Sequence, residues 1–347
     1  MAVLYFDSFD HFTTAQLTTK WNAQLGSGEF LPPEVTTNAG RKGYGLATWK
    51  GGQAWKSFVD SATVSVGFAW RPMGIANKRI MALRDEETIQ VYLQLSEASR
   101  IQIFRGNGQL IGTGSQAISP AKFYHIELRV VLGSTTGEVT LRINGDAALG
   151  FSATNVSTQV SSFARVNILT LGDPSNSPIY FHYDDVFITD GNLIGPQFVD
   201  VLRPNGNVPG YMDMSAVGGA GSLYERINDI TPDGDTSYLY SAAAAVGGVH
   251  YSEFEDIRDV TGGAIHALAV HTFARKEYGN TRMFYTGMYP GTYDGASGTM
   301  QYYNFDPLSI ENDYCYQSNY YDNNPGTGGT WSVGSVNALK AGFLRYV

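Results

Sequence analysis

The strongest constraint on this chain is an alternation of apolar and small or polar residues with a period of two. In segment 63–70 the large apolar side chains all fall on one face, which is formed by Val64, Val66, Phe68 and Trp70. Because successive side chains of a β-strand point to opposite faces, this pattern predicts a half-buried strand. The same alternation recurs at 88–96, 101–110, 123–132, 139–143, 165–171, 179–189, 236–241, 264–274 and 281–288. The sequence therefore predicts an all-β fold.

Turn-forming residues separate these segments. Asn107-Gly108 and Asn144-Gly145 each follow an apolar run, and Asn-Gly tolerates the positive φ of a type I′ hairpin turn. Short strands joined in this way are typical of antiparallel sandwiches. The alternation stops at 190–196, where Gly and Pro cluster. We expect two jelly-roll-like β-sandwich domains, residues 1–195 and residues 196–347.

Composition excludes several classes of function. Of the 347 residues only 16% are charged and 43% are hydrophobic, and the net charge is −9. An acidic surface repels phosphate backbones, so nucleic acid is a poor partner. Cys315 is the only cysteine, which excludes an intramolecular disulfide and a thiolate metal cluster. With no basic, apolar leader and no apolar run of about 20 residues, we expect a protein made in the cytosol, without membrane insertion.

Two polar and aromatic segments bracket the first half of the chain, 7–12 and 183–186. A jelly roll closes by pairing its first and last strands, so these segments are expected to meet at a seam. His11 and His182 lie in or beside them, and a structural hydrogen-bond network is the expected use of these residues. His125 and Glu127 alternate on the polar face of another strand, where a solvated sheet surface is expected.

Catalytic and metal motifs are weak. Glu253 and Glu255 share a strand face but lack the third carboxylate of a Glu-x-Asp-x-x-Glu motif, and residues 85–87 look like a turn. His266 and His271 lack metal spacing. Segment 233–237 is rich in oxygen ligands but lacks full calcium-loop spacing, so an Asx turn is the expected structure. No catalytic residue, metal site or cofactor is predicted.

The most plausible functional surface is a tyrosine-rich segment, 301–324. A tyrosine ring offers a rigid apolar face and a polar tip, which suits both sugar stacking and protein interfaces. Core filling with a few exposed loop tyrosines is the alternative. The predicted binding surface comprises Tyr302, Tyr303, Tyr314, Tyr316, Tyr320 and Tyr321.

Several longer motifs carry a resemblance to a known family. In the first half they are Asp7-Ser8-Phe9-Asp10-His11-Phe12, Lys20-Trp21, Tyr124-His125-Ile126-Glu127-Leu128-Arg129, Ile143-Asn144-Gly145 and Tyr183-Asp184-Asp185-Val186-Phe187-Ile188. With these motifs, residues 1–190 resemble the concanavalin A-like lectin/glucanase sandwich of bacteriophage virion proteins. Residues 198–347 resemble the C-terminal part of the same proteins through Val201-Leu202-Arg203-Pro204-Asn205-Gly206, Pro232-Asp233-Gly234-Asp235-Thr236-Ser237-Tyr238, Ile265-His266-Ala267, Trp331-Ser332-Val333 and Asn337-Ala338-Leu339.

The resemblance implies a non-enzymatic structural protein of a tailed-phage virion, mounted on the tail or capsid as a homo-oligomer. Its expected partners are other virion proteins and a host-surface glycan. Two alternatives stay open: a glycan-binding adhesion module, and a glycoside hydrolase with a paired-carboxylate cleft.

Overall fold

The computed structural model describes residues 2–23, 31–175, 178–212, 214–218, 221–240, 249–257, 263–275, 283–290 and 314–346. It divides into two compact units, Met1–Asp200 and Val201–Val347. The boundary predicted from the sequence lies after residue 195. Both units consist of antiparallel β sheets, which confirms the all-β prediction.

The first unit contains a short 3₁₀ helix (Thr14–Gln16), helix α1 (Leu17–Lys20) and fifteen strands in its described residues. The strands are β1 (Val3–Asp7), β2 (Asn22–Ala23), β3 (Glu34–Thr36), β4 (Gly45–Thr48), β5 (Ala54–Ser61), β6 (Thr63–Pro72), β7 (Lys78–Asp85), β8 (Thr88–Leu95), β9 (Ile101–Arg105), β10 (Leu110–Thr113), β11 (Tyr124–Val131), β12 (Gly137–Ile143), β13 (Asp146–Val156), β14 (Val166–Leu171) and β15 (Phe181–Thr189).

These strands form two sheets that enclose one core. The larger sheet has the order β13-β12-β11-β6-β15-β4-β3, with β1 added to β15, and the smaller has the order β10-β9-β8-β7-β14-β5-β2. The Tyr183 hydroxyl on β15 donates to the Ile80 carbonyl on β7 at 2.6 Å, so a hydrogen bond crosses from one sheet to the other. The apolar face predicted for β6 is completely buried, at Val64, Val66, Phe68 and Trp70.

The first and last strands of the sandwich pair, as closure predicts, and the two bracketing segments meet at Asp7 and Val186. Strand β1 lies antiparallel to β15, with Phe6 opposite Phe187 and Asp7 opposite Val186. Because β15 lies between β6 and β4 as well, the last strand of the sandwich is held in the middle of the larger sheet.

The two predicted Asn-Gly turns differ in geometry. Asn144 and Gly145 both have positive φ, 54° and 79°, as a type I′ turn requires. At the other turn Gly108 has a φ of 89° and Asn107 is not in the left-handed region, so the type I′ prediction is wrong there. The Gly108 amide instead bonds the Arg105 carbonyl at 2.9 Å, and the Arg105 amide bonds the Gln109 carbonyl at 2.8 Å.

The described part of the second unit contains a 3₁₀ helix (Leu223–Arg226), helix α2 (Val333–Asn337) and eight strands. The strands are β16 (Pro204–Met212), β17 (Ser215–Val217), β18 (Tyr238–Tyr240), β19 (Val249–Phe254), β20 (Leu268–Ala274), β21 (Met283–Pro290), β22 (Cys315–Tyr321) and β23 (Leu339–Tyr346). One sheet has the order β16-β19-β23-β21, and β17-β18 and β20-β22 form two-stranded ribbons. Among the described residues no helix reaches the length and hydropathy needed to cross a bilayer.

Candidate functional site

The site centres on the ribbon of β20 and β22. Phe273 lies opposite Tyr316, His271 opposite Ser318, and Ala269 opposite Tyr320. Directly opposed residues of an antiparallel pair share a face. One face of the ribbon therefore carries the set that we name the tyrosine strip: His271, Phe273 and Arg275 from the β20 side, and Tyr314, Tyr316, Ser318 and Tyr320 from the β22 side. All of these side chains are partly exposed.

Aromatic and cationic groups of the strip form a continuous stack. The Arg275 guanidinium lies 4.9 Å from the centre of the Tyr314 ring. The Tyr314 and Phe273 rings are nearly parallel, with centroids 4.8 Å apart, and Phe273 contacts the tilted Tyr316 ring at 4.7 Å. Such ring contacts contribute roughly 0.5–1.5 kcal/mol each beyond area burial. The stack fixes the side chains at one end of the strip.

Asp235 anchors that same end. Its Oδ2 accepts a hydrogen bond from Arg275 Nη1 at 3.0 Å, and its Oδ1 lies 2.8 Å from Arg275 Nη2. The Tyr314 hydroxyl donates to Oδ1 at 2.7 Å. Burial and the bond to Asp235 raise the pKa of Tyr314 to about 12, so the phenol stays protonated and donates. A bidentate contact with a carboxylate balances the charge of the guanidinium.

Asp235 is presented by the loop that the sequence marked as an alternative calcium site. The backbone amide and hydroxyl of Ser237 donate to the Asp233 carboxylate at 3.1 and 3.0 Å, which is the expected Asx-type turn. In the described part of the chain, no three His, Cys, Asp or Glu residues are grouped in a way that could hold a metal ion.

The far end of the strip carries polar groups beside a ring. The Nδ1 atom of His271 lies 2.7 Å from the Ser318 hydroxyl oxygen. The His271 and Tyr320 rings meet edge to face, with centroids 6.2 Å apart. An imidazole and a serine hydroxyl therefore lie between the rings of Tyr316 and Tyr320, and the hydroxyl oxygen of Tyr320 is buried.

Tyr321 belongs to the opposite face and does not join the predicted surface. It is only 7% exposed and packs in a core cluster with Trp331, Val336 and Leu339. Its carbonyl accepts a hydrogen bond from Trp331 Nε1 at 2.9 Å, and burial raises the pKa of its phenol to about 12. The physical reason is parity, since Tyr321 follows Tyr320 on one strand and must point the other way. Tyr302 and Tyr303 lie outside the described residues.

The sequence did not predict that residues of β20 belong to the strip, or that Asp235 holds one end of it. His271 was considered only as a metal ligand and Asp235 only as part of the calcium alternative at 233–237, and Phe273 and Arg275 were not singled out. The alternation at 264–274 places His271 and Phe273 on one face. It does not indicate which strand pairs with β20.

The carboxylates considered for catalysis lie in structural contacts. Glu253 is opposite Lys340 on β23, and Glu253 Oε1 lies 2.5 Å from Lys340 Nζ. The Glu255 carboxylate accepts the Arg203 amide at 3.4 Å. Asp85 binds Arg165 Nε at 2.7 Å at the end of β7. Glu86 and Glu87 follow in the exposed turn that the sequence predicts.

The two seam histidines contact different partners. His11 Nε2 lies 2.5 Å from Lys20 Nζ, whereas His182 Nδ1 accepts a bond from Arg71 Nε at 3.2 Å. Burial and the charge of Lys20 lower the pKa of His11 to about 3. Each histidine therefore lies in a polar network, as the sequence predicts, but the two networks have different partners.

The network around His11 is built on Asp7. Asp7 is fully buried, and it accepts bonds from the Tyr5 hydroxyl and from Trp21 Nε1, both at 2.8 Å. Lys20 Nζ forms an ion pair with it at 3.2 Å. Burial alone would raise the pKa of Asp7, but the charge of Lys20 and these bonds hold it well below its usual range. Burial lowers the pKa of Lys20 to about 8 against the opposing effect of Asp7.

The outer face of the larger sheet is not solvated at His125 and Glu127, contrary to the sequence-based expectation. Both residues are buried: residues 194 and 195 contact Glu127, and the His125 ring stacks on Phe187. Glu127 Oε1 accepts the amides of Ile194 and Gly195 at 2.7 and 3.1 Å. Burial raises the pKa of Glu127 and lowers that of His125 to about 4.

The chain is similar to known proteins in structure but matches none of them by sequence comparison. No protein-family model matches the chain, and no curated protein matches it. Among solved structures, a sialidase shares 12% identity at a TM-score of 0.41, over 54% of this chain and 18% of that one. A carbohydrate esterase from Shiga toxin-encoding bacteriophage phi24B shares 16% identity at a TM-score of 0.34, over 53% of this chain and 98% of that one. An endo-β-1,4-glucuronan lyase from Trichoderma reesei shares 13% identity at a TM-score of 0.37, over 56% and 97%.

These comparisons contradict the prediction of a non-enzymatic protein. The solved structures that this chain resembles are mostly carbohydrate-active enzymes, here a sialidase, an esterase and a lyase. The sequence-based prediction rested on the weakness of the catalytic motifs and on the resemblance to virion structural proteins, and motifs of one enzyme family do not describe another. The proteins that it resembles are glycan-binding or glycan-active.

Proposed function

We propose that this chain is a component of a tailed-phage particle that contacts carbohydrate on the host surface, and that the tyrosine strip makes this contact. The observation that carries the proposal is the strip itself. Tyr316 and Tyr320 stand on the same face of β22, with His271 and Ser318 between them.

This arrangement has the chemistry that sugar recognition needs. A pyranose ring presents apolar C–H groups on its faces and hydroxyls around its edge. Aromatic rings pack against the C–H faces, while nearby donors and acceptors fix the orientation of the hydroxyls. In the strip, Tyr316 and Tyr320 supply ring faces, and Ser318 and His271 supply polar groups.

The placement in a virion is supported by the sequence resemblance, which covers nearly the whole chain. A virion part must be stable without disulfides and must present contact surfaces away from its core. The buried faces of β6 and β11 provide such a core in the first unit. Closed symmetry around a tail or vertex would make the protein a homo-oligomer with other virion proteins as neighbours.

The first experiment tests carbohydrate binding. The purified chain is applied to a glycan array together with its Tyr316→Ala and Tyr320→Ala variants. The matched control is Tyr240→Ala, because Tyr240 is an exposed tyrosine of the same unit that lies outside the strip. We expect binding by the parent and the control, and reduced binding by the two strip variants. Equal binding by all four proteins would show that the strip is not the site.

The same samples test turnover. Catalysis on carbohydrate is followed by measuring newly formed reducing ends or released acyl groups. The virion role is tested separately by mass spectrometry and electron microscopy of purified particles. We expect symmetric copies of the chain on the tail or capsid, and its absence from purified particles would remove the virion part of the proposal.

A further inference from the structure

The two ends of the tyrosine strip carry different groups. At one end Arg275, Tyr314 and Phe273 pack against one another, and Asp235 holds the first two. The rings and the guanidinium at this end are engaged with each other. The other end, from Tyr316 to Tyr320, has two partly exposed rings separated along the strand.

The spacing along β22 sets the distance between Tyr316 and Tyr320. Tyr316, Ser318 and Tyr320 occupy alternate positions of one strand. At about 3.3 Å per residue, Tyr316 and Tyr320 are about 13 Å apart along the strand. A single sugar ring cannot contact two aromatic side chains at that separation, but a short linear chain of sugars lying along the strand can contact both.

The charges of the strip favour an uncharged ligand. Arg275 is its one guanidinium group, and both of its terminal nitrogens face the Asp235 carboxylate. The positive charge is therefore balanced before any ligand arrives. The whole chain carries a net charge of −9, which repels polyanionic glycans such as uronate or sialate polymers.

We infer that the strip binds an extended, uncharged oligosaccharide of at least two to three sugar units that runs along β22. Its rings pack against Tyr316 and Tyr320, and its hydroxyls meet Ser318 and His271. This inference rests on the proposed function and adds the length and charge class of the glycan.

The test is calorimetric titration of the whole chain with two matched series. One series contains neutral linear glucans and arabinans from one to six units, and the other contains oligouronates of the same lengths. We expect affinity for a neutral series to rise at least about tenfold between the monosaccharide and the trisaccharide, as a second ring contact forms. Affinity should stay unchanged between about 50 mM and about 500 mM salt, because no ion pair is made.

Single variants locate the ligand. Tyr316→Ala and Tyr320→Ala should each reduce trisaccharide affinity about tenfold and leave the weak monosaccharide affinity within about twofold. Tyr240→Ala, which lies outside the strip, should change neither. Circular dichroism of every variant separates lost binding from lost folding.

The outcomes of these titrations test the length and charge class of the glycan separately from glycan binding itself. Salt-sensitive binding of oligouronates, or equal affinity for one and three sugar units, would overturn the inference while leaving glycan binding in place. Absence of binding to every glycan on the array and in both series would overturn the proposed function itself.

Discussion

Two regions of this chain, the core of the first unit and the tyrosine strip of the second, use aromatic and charged residues differently. In the core of the first unit Trp21, Trp70 and Tyr183 are almost completely buried. Even its charged Asp7 and Lys20 are enclosed. In the second unit a ribbon carries rings and charged groups on a partly exposed face. Both units follow the same strand alternation, so alternation alone does not decide whether a ring stabilises the fold or meets a ligand.

The difference lies in what covers each face of a strand. Strand β6 has Trp70 on the face that meets the second sheet, and Trp70 packs against Phe181 at a centroid distance of 5.2 Å. Strand β22 has Tyr321 on the face that meets Trp331. Tyr320, next along the strand, points to the other side and remains partly exposed. Parity within one strand thus separates a buried ring from a partly exposed one.

The largest expected effect is on the first unit's core. Trp70→Ala should lower the free energy of unfolding by about 3–5 kcal/mol, because it removes a fully buried indole and leaves a cavity. Chemical denaturation measures the change. Trp70→Phe is the matched control and should cost clearly less, since it keeps most of the ring volume. A loss below about 1 kcal/mol for the alanine variant would show that the face of β6 is misassigned.

Removal of one partner from the buried ion pair should have the next effect. Lys20→Met leaves the Asp7 carboxylate buried without its cation and should cost about 3 kcal/mol. The double variant Asp7→Asn with Lys20→Met should recover part of this loss, because the uncompensated charge is gone. Denaturation of Lys20→Met, Asp7→Asn and the double variant measures the coupling, and simple additivity of the two single losses would contradict it.

The contrast between neighbouring tyrosines sharpens the comparison within the second unit. Tyr321→Ala should destabilise this unit by about 2–4 kcal/mol, because its ring fills the cluster with Trp331. Tyr320→Ala should cost less than about 1 kcal/mol and instead reduce glycan binding. Thermal unfolding and binding to the glycan array are measured for both variants. Equal destabilisation would place both rings in the core.

The last expected effect is a pH dependence of stability at the seam, which accumulates over several pH units. Burial, together with the neighbouring Asp185 charge, raises the pKa of Asp184 to about 8. Because the folded value lies above the unfolded one near 3.8, this group contributes stability below pH 4 that is lost as the pH rises to about 8. The slope is at most about 1.4 kcal/mol for each pH unit.

Asp184→Asn removes that titration. Its unfolding free energy relative to the parent should therefore improve as the pH is raised from 5 to about 8. The Arg41 amide, which donates to Asp184 at 2.6 Å, contributes an offset that does not change with pH. Denaturation curves at several pH values give the difference, and a difference that is flat with pH would show that Asp184 titrates at an ordinary value.

Much of the fold was predictable from local pattern. The buried face of β6, the pairing of β1 with β15 and the turn at Asn144 follow from alternation, closure and turn chemistry. The site was only partly predictable. Tyr314, Tyr316 and Tyr320 came from composition, while Tyr321 was assigned to the surface because composition ignores parity.

By itself the sequence determined the strand period, the polarity of each strand face and the positions of turns, since these depend on residues that are near neighbours in the chain. Tertiary structure alone decided that β20 pairs with β22, that Asp235 holds Arg275 and Tyr314, and that residues 194–195 cover Glu127. The physical reason is that these contacts join residues between 40 and 79 positions apart. A periodic pattern fixes the direction of a side chain but not the partner that the fold brings to it.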